Sequence, residues 1–149
     1  MALEIRFHPS VAPPADLGRF PAEALAELLR EEGVPDEGAI DCILTGDAEL
    51  VALNERFRGR PGPTDVLAFP YDPDASGGTR GDVYVSLDRA RAQAAERGEP
   101  LGREVWRLFV HGALHLAGHD HDTAKRDRDM RRRQEVWVER VYPAGRPGP

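Results

Sequence analysis

The feature that most constrains this chain is a set of histidines built into its most apolar segment. Four of the five histidines fall within 11 residues, His111-Gly-Ala-Leu-His115-Leu-Ala-Gly118-His119-Asp120-His121. The residues from Val105 to Leu116 are strongly apolar, so the sequence predicts a core helix over residues 102–117. At about 100° per residue, His111 and His115 lie one turn apart on a shared face. Burying two imidazoles in such a stretch is costly unless something satisfies them. Two rings so placed can grip one metal ion. Gly118 is the residue type that ends a helix with positive φ, and the turn it permits brings His121 back towards the same ion. Three neutral imidazoles leave the fourth tetrahedral position of Zn²⁺ open, as in catalytic rather than structural zinc sites. Water bound there can reach a pKa of about 7. One Zn²⁺ per chain on His111, His115 and His121 is therefore expected, although imidazole also suits Ni, Cu and Fe. His119 is the spare: it could substitute for His121 or contact substrate, and exposure on the surface is the default expectation.

The spacing His-x₃-His-x₂-Gly-x₂-His is that of the metzincin proteases, whose motif opens His-Glu with the Glu as general base. Here Gly112 stands in that place. Proteolysis by that mechanism is disfavoured, so the metal serves another reaction or takes its base from elsewhere.

Composition bounds the rest. The 149 residues suffice for one domain with a proper core, and 40% apolar with 31% charged residues is an ordinary globular balance. No apolar run reaches the ~18–20 residues of a membrane span, and the N-terminus has no signal-peptide pattern. The single Cys42 excludes an internal disulfide. A cytoplasmic protein is expected, without membrane or DNA partners. The net charge of −6 argues against indiscriminate wrapping of nucleic acid. The charge is uneven, however, with 11 acidic and 3 basic residues over 1–50 against 15 and 17 over 51–149. A local basic face in the later part of the chain remains open.

Alternating Leu3, Ile5 and Phe7 read as a strand, and prolines 9, 13 and 14 then break the chain. An amphipathic helix follows from Pro21 to near Gly33. Strands are expected over residues 40–45, 64–70 and 81–87, with a Gly/Asp/Pro-rich loop over 72–78. Asp47 and Asp88 are expected to cap helices over 48–57 and 89–97, and Thr123 a last helix to about Val141. The result is an α+β domain over residues 1–142, with a small mixed sheet of about four strands and five to six helices. The metal site lies on a helix and the turn after it, and residues 143–149 form a frayed tail.

At this point the chain resembles a known family, the YbeY endoribonucleases. The likeness rests on His111-Gly-x-Leu-His115-Leu-x-Gly118-x-Asp120-His121 and on three further blocks in the same order. These are Leu53-Asn54-x₃-Arg58-Gly59, Pro63-Thr64-Asp65-Val66-Leu67-x-Phe69-Pro70 and Gly81-Asp82-Val83-x-Val85-Ser86-Leu87, within residues of about 45–130. The resemblance implies a metal-dependent hydrolase of RNA that matures the small-subunit (16S) ribosomal RNA 3′ end and serves ribosome quality control. It also implies a functionally important arginine at Arg58. Two departures stand out. Family members usually carry an aromatic residue where His119 stands. The stretch after His121, commonly acidic in the family, is here Lys125–Arg133 with six basic and two acidic side chains.

Outside the histidines, phosphodiester cleavage needs positive charge near the phosphate oxygens. Arg58 is the candidate for that role, and its neighbours Arg56 and Arg60 could track the RNA backbone. The alternative for Arg58 is a solvated charge favoured by a helix C-terminus. Asp120 either hydrogen-bonds a ligand imidazole from outside or caps the turn. The basic run 125–133 is either an RNA contact or a solvated helix face. Phe69 and Tyr71 border a loop where bases could stack, though core packing suits Phe69 better, and Met130 suits the core. Expected partners are ribosomal RNA and the small subunit, with ribosomal proteins or an assembly GTPase as further ones. Two other functions fit the same residues: a metallohydrolase of peptide or amide bonds, and a non-enzymatic assembly factor whose metal shapes a docking surface.

Overall fold

Burial alternates along Ile40–Thr45, with Ile40, Cys42 and Leu44 turned inward, which makes this segment an inner strand of a four-stranded sheet. The computed structural model describes residues 5–9, 11–34, 40–58, 64–71 and 80–144. In chain order the elements are β1 (Ile5–Phe7), α1 (Ala22–Glu31), β2 (Ile40–Thr45), α2 (Asp47–Arg58), β3 (Val66–Tyr71), β4 (Arg80–Ser86), α3 (Leu87–Arg97), α4 (Leu101–Leu116) and α5 (Ala124–Val141). The strands lie in the order β1-β2-β4-β3. β1 and β4 flank β2 in parallel, and β3 closes the far edge antiparallel to β4. This is the mixed α+β architecture expected from sequence, with five helices among the described residues. The expected 72–78 loop and residues 145–149 of the tail lie outside the described residues.

The register aligns Cys42, Val83 and Ala68 in one row across β2, β4 and β3, and Leu44, Val85 and Val66 in another. Small and β-branched side chains thus form one smooth face, and α4 packs on it. Every residue from 101 to 110 is buried, as expected of a helix enclosed on all sides. Phe20 meets Trp106 and Phe109 edge-on at 6.3 and 5.5 Å. Leu25, Leu28 and Leu29 of α1 and Met130, Trp137 and Val138 of α5 complete the core. On the opposite face, Phe57 of α2 packs edge-on against Phe69, and Phe69 against Tyr84, at 5.7 and 5.8 Å. Phe69 is thus a packing residue.

Two expectations about caps are corrected. Ser86, not Asp88, caps α3, its Oγ accepting the Arg89 N–H at 3.2 Å. Asp88 instead accepts the Asp47 N–H at 2.7 Å and so caps the start of α2. Asp47 is the first residue of that helix, and its carboxylate takes Ser86 Oγ and Arg89 Nε at 3.4 and 3.2 Å. The two helix N-termini therefore satisfy each other across the sheet end. Thr123 does cap α5, accepting the Arg126 N–H at 3.1 Å.

The apolar reading of α4 missed three buried charged residues, Arg103, Glu104 and Arg107. Arg107 is 3% exposed and pairs with Glu99, Glu104 and Glu135. Arg103 pairs with Glu99 and Glu139 and donates to the Tyr142 carbonyl at 2.8 Å. An ion network, along with apolar packing, holds α5 against α4. Among the described residues, no helix is long and apolar enough to cross a membrane.

Candidate metal centre

The last turn of α4 and the bend after it bring the three histidines together. Gly118 has φ 108°, a left-handed conformation that a side chain would strain. Its N–H bonds the His115 carbonyl at 3.1 Å, and the His119 N–H bonds that of Leu114 at 3.0 Å. These two bonds are the Schellman closure of a helix C-terminus. The chain then reverses, and Asp120 Oδ1 accepts the His121 N–H at 2.7 Å. That contact ties the Asp120 carboxylate to the turn that carries the third histidine.

His111, His115 and His121 line one small cavity of about 70 Å³ with Val66, Ala68 and Gly112. The His121 ring centroid lies 5.8 Å from that of His111 and 6.3 Å from that of His115. Rings on one tetrahedral zinc, with Zn–N bonds of about 2.0–2.1 Å, would stand about 5 Å apart. Among the described residues, no three such donors are drawn to ligating distance. The donor set nevertheless fits a borderline cation, being three imidazoles around one polar-lined space on a wall of β3 and α4. His111 carries a further sign of preparation. Its Nδ1 lies 2.8 Å from Gln134 Oε1 on α5, which leaves Nε2 for the cavity. No feature of the sequence reading had singled out Gln134.

Gly112 acquires a steric meaning. A Cβ built there would collide with Val83 Cγ1 of β4 and stand 3.2 Å from its Cγ2. The position where metzincins carry their general base is filled here by the helix–sheet contact, so no side chain at 112 can serve the metal.

His119, expected on the surface, is half-buried. Its Nε2 lies 2.7 Å from Glu32 Oε2, and Arg133 donates to Glu32 Oε1 at 3.0 Å. Glu32, at the end of α1, thus ties both the histidine turn and α5 to that helix. Along the basic run, Arg126, Arg131 and Arg132 pair with Asp122, Asp127 and Asp129, each three or four residues away. A broad cleft of about 660 Å³ lies beside the histidine turn, walled by Arg126, Asp129, Arg132 and Arg133. Met130 is 1% exposed and belongs to the core. Arg56 is exposed, its guanidinium 5.2 Å from the Phe57 ring centroid. Arg58 is the last residue of α2. The side chains of Arg58 and Tyr71, and all of Arg60, lie outside the described residues.

Comparison with known proteins adds the context this geometry lacks. The family model described as Endoribonuclease YbeY matches residues 10–142. An Endoribonuclease YbeY of Bacillus licheniformis is 34% identical over 142 residues, covering 84% of this chain and 90% of that one. The Solibacter usitatus protein of the same name is 47% identical, covering 73% and 71%. That of Thermus thermophilus is 44% identical, covering 83% and 90%. Among solved structures, the solution structure of TM1509 from Thermotoga maritima matches with a TM-score of 0.58 at 30% identity, covering 93% of this chain and 89% of that one. The histidine turn thus sits in a fold and a sequence shared with these proteins along most of their length, and the chain belongs to the endoribonuclease YbeY family.

Proposed function

We propose that the chain is a zinc-dependent endoribonuclease that processes the 3′ end of small-subunit ribosomal RNA and serves ribosome quality control in the cytoplasm. The observation that carries this reading is the convergence of His111, His115 and His121 on one cavity. Family membership supports RNA as the substrate. When bound, zinc would supply Lewis acidity and lower the pKa of a bound water.

The protein's own part is to position and to neutralise. α4 and the Gly118 turn orient the three imidazoles, and Gln134 holds one ring by its far nitrogen. Arg58, at the end of α2, is assigned to the phosphate oxygens, with Arg56 and Arg60 along the backbone of the strand. Either a bound water or the RNA 2′-hydroxyl suits this arrangement as nucleophile. Partners on the small subunit, such as a ribosomal protein or an assembly GTPase, would present the RNA end. A peptidase is disfavoured because the place of its base is taken by packing.

The test is cleavage of a ribosomal RNA fragment that includes the small-subunit 3′ end. Wild type is expected to cut it, and chelator-treated protein to stop until zinc is restored. His115→Ala should abolish cutting, and Arg58→Ala should lower the rate by roughly 10²–10³-fold, the usual loss of one charge-stabilising donor. Identical cutting by all preparations would defeat the metal-dependent reading. A zinc-loaded wild type that fails to cut, yet binds the small subunit, would favour the docking-factor alternative.

A further inference from the structure

We infer that Gln134 is the positioning residue of this centre: it selects which nitrogen His111 presents to a metal, and it is itself aimed by Glu135, a half-exposed carboxylate held by the buried Arg107 of α4. The inference rests on the reading that His111, His115 and His121 hold zinc.

The argument is one of donors and acceptors. An ionised carboxylate can only accept, and Glu135 Oε2 lies 3.0 Å from Gln134 Nε2. The amide must therefore turn its NH₂ towards Glu135 and its oxygen the other way. That oxygen lies 2.8 Å from His111 Nδ1. Since a carbonyl oxygen only accepts, Nδ1 must carry the proton, and Nε2 keeps its lone pair. In water a neutral imidazole prefers the opposite arrangement, with its proton on Nε2. Left alone, His111 would more often offer the cavity an N–H than a lone pair.

Glu135 is in turn not free to wander. Arg107 Nε donates to both of its oxygens at 3.3 and 3.0 Å, and Nη2 donates to Oε1 at 3.0 Å. Arg107 is fixed by Glu99 and by the fully buried Glu104. The order of dependence thus runs from Arg107 to Glu135, then Gln134, then His111. His111, like Val66, lines both the histidine cavity and a second cavity of about 160 Å³ bordered by Arg107 and Gln134.

The experiment has two readouts on the purified full chain. Long-range ¹⁵N–¹H NMR on the metal-free protein reports which His111 nitrogen is protonated. Competition with a chromophoric chelator reports zinc affinity. Wild type should show Nδ1–H. Gln134→Leu, which removes the acceptor, should move His111 towards Nε2–H and weaken zinc binding roughly 10–100-fold, the usual loss when a ligand's outer partner is removed. Gln134→Glu keeps an acceptor for Nδ1–H but loses the donor that Glu135 holds; it should retain the Nδ1–H tautomer, which a merely structural role would not explain. Should Gln134→Leu not fold, Gln134→Lys, which offers only donors, takes its place with the same expectation. An unchanged His111 tautomer in the Leu or Lys variant overturns the inference, as does a changed tautomer with unchanged zinc affinity. Wild type that takes up no zinc defeats the metal reading instead, while the tautomer result still decides whether Gln134 orients the ring.

Discussion

Gly112→Glu, the single change that would complete a metzincin-like His-Glu pair, is expected to yield an unstable protein with no gain of peptidase activity. Gly112 rides directly on Val83 of the inner strand β4, and its missing side chain is what lets α4 approach the sheet. Val83 is fully buried and β-branched, so it cannot swing aside cheaply. Even Gly112→Ala sets two effects against each other. A helix-interior alanine is worth about 1 kcal/mol over glycine, whereas overpacking a close contact costs about 1–3 kcal/mol. A Cβ at 112 would overlap Val83 Cγ1 and crowd its Cγ2 at 3.2 Å, so overpacking should win. Glutamate adds an unpaired carboxylate to the same apolar contact, and its loss should exceed about 3 kcal/mol. Chemical denaturation of the three proteins checks the order: wild type most stable, then alanine, then glutamate. A glutamate variant as stable as wild type would mean that the helix–sheet spacing is not fixed as described.

The histidine positions were legible because helical periodicity is local. Spacing alone sets His111 and His115 on one face, and a glycine at 118 is a chain-local signal for the turn that returns His121. The steric role of Gly112 was not legible, because it depends on which strand passes beneath α4. That strand is β4, placed beside β2 by a pairing that skips β3. The same distance in sequence hid Gln134, 23 residues from the ring it touches, and Glu32, 87 residues from His119. The Ser86 and Asp88 exchange is a local error of another kind. Both residue types cap helices well, and only the position of α2 decides which of them is needed where. Finally, the apolar character of α4 concealed its charges because burial of Arg103, Glu104 and Arg107 is tolerable only with partners on α5 and before α4, which composition cannot supply.

Those charges lead to the second large effect. Arg107→Met is expected to cost about 3–5 kcal/mol at neutral pH, as when one member of a buried ion pair is removed. The reason lies with Glu104, whose side chain is 1% exposed and whose Oε2 has no hydrogen-bond partner among the described residues even in the wild type. Among the described residues, its other pairing is with Arg97 at 3.4 Å. Burial already pushes the Glu104 carboxyl above its usual range, and Arg107 only partly offsets this. Glu99 and Glu135 behave oppositely: burial pushes them up, but hydrogen bonds and charge from Arg107 bring both below the usual range. The signs then follow. In the wild type, Glu99 and Glu135 contribute stability that is present above the unfolded carboxyl pKa of about 4.3 and lost as pH falls through their lowered folded values. In Arg107→Met the Arg107 share of that contribution is gone, leaving Glu99 to Arg103 and Arg97 and Glu135 to Gln134 and Arg97. Glu104 adds a penalty that grows as pH rises above the unfolded value. The gap between the two proteins should therefore be widest near neutral pH and shrink as Glu104 protonates on the way down to about pH 4.3. Below that it should shrink further as pH falls through the lowered values of Glu99 and Glu135. Urea denaturation across that range measures it. The double variant Glu104→Leu/Arg107→Met removes the stranded charge and should recover a large part of the loss, because an apolar pair can replace a buried ion pair at little cost. If the double variant is no better than the single one, Arg107 acts mainly through Glu99 and Glu135, as the clamp that keeps α5 and its Gln134 in place.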